Sequence, residues 1–82
     1  MNLYSIYNKT AHFYNAPFAA TCDAEAKALV MQGVKGSQAD LEDFSLVQVG
    51  FFDHNSGDIR SDFEKDPRLV CECSIFKKEV DA

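Results

Sequence analysis

The chain has 82 residues, a formal net charge of −5 and a 46% share of hydrophobic residues. This length suits a single domain spanning residues 1–82, and the hydrophobic share excludes a chain that is disordered by composition. The acidic balance excludes the broadly basic surface of most duplex-DNA binders, because neutralised phosphates supply most non-specific affinity. No apolar run is long enough to cross a membrane and no secretory signal is visible, so we expect a soluble cytoplasmic protein without membrane contact.

The first predicted element is a strand from Leu3 to Tyr7, where side chains alternate and tyrosine and isoleucine favour extended structure. Residues 11–21 follow with several aromatic side chains but no regular period, and Pro17 removes a hydrogen-bond donor. We predict an irregular loop there, with Phe13 and Phe18 packed over an edge of the core.

The only convincing helix is predicted from Asp23 to Gln32. Thr21 or Asp23 can cap its N-terminus, and Glu25 lies in the first turn, where negative charge is favourable. Apolar or small residues recur at the helical spacing and predict a stripe that faces the core: Ala26, Leu29, Val30 and Gly33.

The stretch from Phe44 to Arg60 predicts a β-hairpin, against which the rest of the chain is expected to pack. Its first half alternates and is rich in aromatic, β-branched and leucine side chains. Gly50 lies inside this strand, which indicates a bulge or a close approach of another backbone segment. Residues 53–57 supply turn formers, including Gly57, which can adopt a positive φ.

A last strand is predicted from Arg68 to Phe76, with one half-buried face formed by Leu69, Cys71, Cys73 and Ile75. Together the elements predict an α+β fold, in which a β-α-β-β-β order gives a small, mostly antiparallel four-stranded sheet with one helix packed on one face. The alternative is a three-stranded sheet in which residues 58–60 do not form a strand. So few strands leave a sheet edge open, and we expect a homodimer to close it.

Thiols and imidazoles are the first candidates for catalytic or metal chemistry. The cysteines, Cys22, Cys71 and Cys73, are an odd number, which argues against a disulfide framework and for a reducing compartment. They lack the paired spacing of structural zinc sites, so we expect them to act as small hydrophobic residues. His54 has no glycine-framed serine or activated cysteine near it in sequence. We therefore expect no enzyme, no metal site and no cofactor.

Nucleic-acid binding is the remaining chemistry that the side chains suggest. Proteins that bind single strands combine a modest basic groove with aromatic faces on which bases stack. The candidates are Lys9, Tyr14, Arg60, Arg68, Lys77 and Lys78, with the further aromatic residues Tyr4, Tyr7 and Phe52. The alternative is that these are solubilising charges and core aromatics, because the order of the strands decides whether they meet.

Several short motifs occur in an order and spacing that resemble one phage family. They are the start Leu3-Tyr4-Ser5-Ile6-Tyr7-Asn8-Lys9, the step Ala16-Pro17-Phe18, the helix opening Asp23-Ala24-Glu25-Ala26, the segment from Glu42 to Asp53 with Gly57 after it, and a closing hydrophobic strand. Over nearly its whole length the chain is similar to the small non-structural protein of gokushovirus-type microviruses, which are single-stranded DNA phages.

This resemblance implies a non-capsid protein of the host bacterial cytoplasm that binds single-stranded DNA and acts in genome replication or in the switch to packaging. It carries over no catalytic residues. A second hypothesis is a protein-interaction module that acts on a phage replication or assembly protein without direct DNA contact.

Overall fold

The computed structural model describes residues 1–34, 41–61 and 67–76, and these ranges contain one α-helix and six short strands. In chain order they are β1 (Asn2–Asn8), β2 (Phe13–Tyr14), β3 (Phe18–Ala20), α1 (Asp23–Val34), β4 (Phe44–Phe52), β5 (Ile59–Arg60) and β6 (Arg68–Glu72). Short 3₁₀ helices precede β4 at Leu41–Asp43 and follow β6 at Cys73–Phe76. None of the helical segments in these ranges combines the length and the apolar character that crossing a bilayer requires. The fold class is α+β, as the sequence predicts.

The sheet is built on the central pair β1 and β4. This antiparallel pair runs from Asn8 opposite Phe44 to Asn2 opposite Phe51. β2 and β3 both line the other edge of β1, and β5 and β6 both line the other edge of β4, all antiparallel. The six strands thus occupy four positions across the sheet, which confirms the predicted four-stranded antiparallel arrangement. The pairing of β5 with β4 confirms the hairpin and excludes the three-stranded alternative.

The segment predicted as an irregular loop contains β2 and β3, so that prediction is wrong in part. The two strands act as one edge strand that is interrupted at residues 15–17. Two hydrogen bonds close the interruption: the Asn15 amide donates to the Ile6 carbonyl at 2.9 Å, and the Ser5 hydroxyl donates to the Asn15 carbonyl at 2.7 Å. Pro17 is tolerated here because an edge strand does not need every backbone donor.

Of the two phenylalanines expected over the core edge, Phe18 packs there and Phe13 does not. The ring of Phe18 stacks on that of Tyr4, with the centroids 5.9 Å apart. Phe13 is about half exposed, because it lies opposite Asn8 at the far end of β1.

The core lies between α1 and one face of the sheet. Its buried residues are Tyr4, Ala20, Ala26, Val30, Leu41, Leu46, Cys73 and Phe76. α1 contributes Ala26 and Val30, and Val34 packs against the cluster one turn later. The predicted stripe is wrong at Leu29, which is 43% exposed, and at Gly33, which is also exposed. The helix meets the sheet along residues spaced four apart, and this narrow contact leaves Leu29 at its side.

Neither of the two predicted residues is the N-cap of α1; that position is held by Cys22, directly before the helix. Thr21 donates from its amide and its hydroxyl to the Glu25 carboxylate, at 3.3 and 2.9 Å. The Cys22 carbonyl accepts a hydrogen bond from the Ala26 amide at 3.1 Å. Glu25 therefore reaches back over the helix start and binds the residue that precedes the N-cap.

Asp23, the first residue of α1, ties the helix to two strands. Its Oδ1 accepts hydrogen bonds from the Tyr4 hydroxyl and from Arg68 Nη2, each at 2.7 Å. Tyr4 is fully buried, and Asn2 Nδ2 donates to its hydroxyl oxygen at 3.0 Å. The hydrogen bonds from Arg68 and Tyr4 lower the pKa of Asp23 below its ordinary value of 3.8. We call this arrangement the Asp23 clasp.

The last strand is shorter than predicted. β6 ends at Glu72, and the 3₁₀ helix that follows buries Phe76. The register of β6 against β4 shifts at Val70, so the simple alternation along the strand is broken. In the predicted half-buried face, Leu69 and Ile75 are more than half exposed. Cys73 lies in the core, and Cys71 packs against it.

Gly50 fulfils both of its predicted roles. The register of β1 against β4 shifts beside it, which leaves Val49 as the extra residue of a bulge. A Cβ at Gly50 would overlap the carbonyl oxygen of Arg60 on β5. At the hairpin turn, Gly57 has the expected positive φ, 80°.

We expect Gly50→Ala to lower the free energy of unfolding by about 1–3 kcal/mol, because the added methyl group must displace the Arg60 carbonyl. Gly33→Ala is the matched control, since a Cβ at Gly33 meets no atom within 4 Å. Alanine favours a helix over glycine by about 0.5–1 kcal/mol, so this control should gain stability. Urea denaturation measures both changes, and equal stability of the two variants would contradict the close approach.

The Asp23 clasp also predicts part of the protein's sensitivity to acid. Because the pKa of Asp23 is lowered in the folded protein, its stabilisation is present above its ordinary pKa of 3.8 and is lost as the pH falls through the lower folded value. Asp23→Asn removes the titrating group, so its melting temperature should fall less between about pH 6 and about pH 3 than that of the wild type. Asp58→Asn in the hairpin turn is the control. If the melting temperature of Asp23→Asn fell as much on acidification as that of the wild type, the result would contradict the clasp.

Candidate nucleic-acid interface

The face of the sheet that points away from α1 carries its own set of side chains, and we call it the outer face. Tyr4 and Ile6 of β1 pack toward the helix, so Ser5 and Tyr7 point the other way. Register partners in an antiparallel sheet share a face. The neighbouring strands therefore add five residues to the outer face: Tyr14, Ser45, Val47, Leu69 and Glu72.

Four outer-face residues form one row across the whole sheet. Tyr14 of β2 lies opposite Tyr7 of β1, and Ser45 of β4 lies on the other side of Tyr7. Glu72 of β6 lies opposite Ser45. Neighbouring strands are about 4.8 Å apart, so this cross-strand row extends over about 14 Å. It has aromatic rings at one end and a hydroxyl and a carboxylate at the other.

The aromatic end of the row is a pair of tyrosine rings. The centroids of Tyr7 and Tyr14 are 4.6 Å apart, and the ring planes are inclined by 42°. Tyr14 is 46% exposed, so part of this aromatic surface is open to solvent. A nucleobase can stack on such a ring with little sequence preference, because every base has an aromatic face.

His12 is held in an uncommon backbone conformation beside this pair. Its φ of 58° lies in the left-handed region, which residues other than glycine seldom adopt. Asn8 fixes the loop: its carbonyl accepts from the His12 amide at 2.8 Å, and its Oδ1 accepts from the amides of Thr10 and Ala11 at 3.0 Å. This loop places Nδ1 of His12 at 3.3 Å from the Tyr7 hydroxyl.

The polar end of the row contains an ion pair. Glu72 Oε2 accepts hydrogen bonds from Lys9 Nζ at 2.7 Å and from Ser45 Oγ at 2.8 Å. The hydrogen bonds from Lys9 and Ser45 lower the pKa of Glu72, and the hydrogen bond to Glu72 raises the pKa of Lys9. The side chains of Lys9 and Glu72 are 44% and 42% exposed, so water screens the pair and its contribution to stability is small.

The structure brings two of the predicted binding residues, Lys9 and Tyr14, to the same row. Arg68 lies on the opposite face, where it pairs with Asp23 and donates from Nε to Gln48 Oε1 at 2.9 Å. Arg68 is therefore a structural residue of the Asp23 clasp.

The other predicted cations lie elsewhere. Arg60 is exposed on β5, at the end of the central pair that is remote from Lys9. It lines a cleft of about 380 Å³ together with Phe52 and His54. Lys77 and Lys78 lie outside the described residues.

Sequence reasoning missed Ser45 and Glu72. Ser45 alternates with the apolar residues on either side of it, and Glu72 is the charge between Cys71 and Cys73. These alternations could have placed both side chains on a polar face. Only the order of the strands brings them together, and a single sequence does not give that order.

A groove beside α1 lies on the helix side of the sheet, away from the row. Its volume is about 380 Å³, and it is lined by Ile6, Phe18, Leu29, Val30, Gly33 and Val34. The exposed Leu29 forms part of its wall. We call it the α1 groove, and its apolar lining suits an apolar side chain better than a nucleotide.

The thiols and imidazoles do not assemble a metal site in the described part of the chain. No group of three His, Cys, Asp or Glu side chains in those ranges could hold an ion. Burial raises the pKa of Cys73 to about 12 and also raises the pKa of Cys71. Both thiols therefore stay protonated near neutral pH, where only a thiolate would act as nucleophile or metal ligand.

Comparison with known proteins identifies the family. The family model described as phage ORF5 protein matches residues 1–76, a range that includes every residue the structure describes. No curated protein and no solved structure matches the chain. The match confirms the phage origin that the sequence resemblance implies. The chain belongs to the phage ORF5 protein family.

Proposed function

We propose that this phage ORF5 protein binds single-stranded DNA on the outer face of its sheet. In this proposal it is a non-structural protein of a microvirus, and it acts in the host bacterial cytoplasm in genome replication or in the switch to packaging. The observation that carries the proposal is the cross-strand row, which has a partly exposed pair of aromatic rings at one end and the ammonium group of Lys9 at the other. The sequence similarity to the small non-structural proteins of single-stranded DNA phages supports the choice of ligand.

Stacking on Tyr7 and Tyr14 supplies most of the expected affinity. A base stacked on an aromatic side chain contributes about 1–3 kcal/mol. Lys9 is the only lysine or arginine that the described residues bring to the row, and Glu72 shares it. Each neutralised phosphate of a single strand changes log K by about −0.7 per unit of log salt concentration. We therefore expect a shallow salt dependence, equivalent to about one phosphate per chain.

A homodimer is part of the proposal. In the described part of the chain, β5 and β6 together form one edge of the sheet, and β2 and β3 form the other. Backbone groups on an open edge can pair with a second copy. Pairing along β6 would continue the outer face from one copy to the next and place two cross-strand rows on one surface.

The α1 groove favours a second candidate function, which is binding of a phage replication or assembly protein without DNA contact. Leu29, exposed beside Phe18 and Val34, offers an apolar surface to such a partner. Leu29→Lys separates the two functions, because it would weaken the binding of a protein in the groove and leave the affinity for DNA unchanged.

The stacking proposal predicts that Tyr14→Ala weakens the binding of single-stranded DNA by about 5- to 150-fold, which corresponds to the loss of one stacked base. Tyr14→Phe keeps the ring and should bind within about threefold of the wild type. Ile59→Ala is the matched control, since Ile59 is 71% exposed on the hairpin and lies away from the row. Fluorescence anisotropy with a labelled oligothymidylate of about 12 nucleotides measures the affinities. Equal affinities for Tyr14→Ala and Ile59→Ala would contradict the proposal.

A further inference from the structure

We infer that Lys9 and Ser45 form a phosphate subsite, and that the carboxylate of Glu72 occupies this subsite in the free protein. The ligand is one phosphodiester group of a single strand. The inference rests on the proposed function, and it assigns Glu72 the role of an internal competitor that the strand displaces.

The geometry is that of an anion site with the anion already in place. Two donors that are distant in sequence, Lys9 Nζ and Ser45 Oγ, converge on the single oxygen Oε2 of Glu72 at 2.7 and 2.8 Å. A phosphate oxygen carries the same charge type and accepts the same hydrogen bonds. Ser45 lies on β4, and the backbone of Lys9 is fixed directly after β1, where its amide donates to the Asp43 carbonyl at 2.8 Å.

The position of the subsite fits a strand whose base stacks on the tyrosines. Ser45 lies directly opposite Tyr7, and side chains so paired are about 5 Å apart at Cβ. Ser45 is buried in the free protein, where its hydroxyl donates to Glu72. Once the carboxylate has left, a nucleotide on the aromatic end of the row can set its phosphate over Ser45 and Lys9. Tyr14, Tyr7 and the subsite then contact successive parts of one nucleotide or of two adjacent ones.

Glu72 can leave the subsite at small cost. Its side chain is 42% exposed, so a change of rotamer returns the carboxylate to water. Exposed ion pairs of this kind contribute little, and a phosphate restores the charge pairing of Lys9. The displaced carboxylate still repels the strand from nearby, so Glu72 lowers the affinity for DNA at two stages.

Glu72→Gln tests the inference directly. The variant keeps an amide oxygen for the hydrogen bond from Ser45 but removes the competing charge. We expect it to bind the labelled oligothymidylate about 3- to 10-fold more tightly than the wild type, with a similar salt slope of about 0.7, because Lys9 neutralises one phosphate in both proteins. Asp58→Asn, which makes the same charge change in the remote hairpin turn, should bind within about twofold of the wild type.

A second comparison uses Lys9→Gln, which should weaken binding more in the Glu72→Gln background than in the wild type. In the wild type the phosphate only replaces the ion pair of Lys9 with Glu72, whereas in Glu72→Gln the ammonium has no carboxylate partner to lose. Melting curves confirm that each variant is folded, and Glu72→Ser replaces Glu72→Gln if the latter is not. Equal affinities of Glu72→Gln and Asp58→Asn, in a protein that Tyr14→Ala does weaken, would overturn the subsite and leave the proposed function standing. An unaltered affinity of Tyr14→Ala would instead overturn the proposed function, whatever Glu72→Gln does.

Discussion

The buried hydroxyl of Tyr4 is the constraint on which the rest of the structure depends. A hydroxyl in a fully buried side chain needs a hydrogen-bond acceptor, and the Asp23 carboxylate supplies one at 2.7 Å. This bond fixes the start of α1 over the middle of β1. Arg68 binds the same oxygen, so the start of β6 is fixed at the same point. Three elements that are distant in sequence thus share one carboxylate, and the helix has a defined position over the sheet.

A single helix of 12 residues covers one face of the sheet, so the outer face is closed by other means. Ser5, Ser45 and Val47 are buried there beneath their larger neighbours. Both serine hydroxyls have acceptors, the Asn15 carbonyl for Ser5 and the Glu72 carboxylate for Ser45. Among the described residues, no buried side-chain nitrogen or oxygen lacks a partner. The outer face is therefore stable without a covering layer, and its aromatic and charged ends stay open to solvent.

Much of this fold could be predicted from local patterns in the sequence. The alternation of side chains predicted the hairpin. The glycine inside it correctly indicated a bulge and a close backbone approach. The close approach requires glycine, because only a residue without Cβ fits against the Arg60 carbonyl. The helix was predicted correctly, but Leu29 was placed on the wrong side. The 3.6-residue period allows two neighbouring stripes, and packing against the sheet selects the one through Ala26 and Val30.

The cross-strand row could not be predicted, because it depends on pairing between distant segments. Lys9 and Tyr14 were chosen as side-chain types that suit nucleic acid. Tyr14 reaches the row because β1 pairs with β2, and Lys9 reaches its other end through the ion pair with Glu72. Ser45 and Glu72 join them only through the order in which β4 and β6 add to the sheet. Arg68 has the same chemistry as the other candidates, yet the register of β6 turns it toward Asp23 on the opposite face.

The long-range central pair has a consequence for the order of folding. Met1 and Phe52, whose backbones are hydrogen-bonded at the end of this pair, are 51 residues apart in the chain. Contacts between residues so distant in sequence form slowly, whereas the short β1–β2 and β4–β5 hairpins join neighbouring segments and form faster. The row needs residues from both hairpins and from β6, so a chain emerging from the ribosome lacks it until Glu72 has been synthesised and docked. The outer face is thus a property of the finished chain, and a nascent chain that still lacks β6 does not yet carry it.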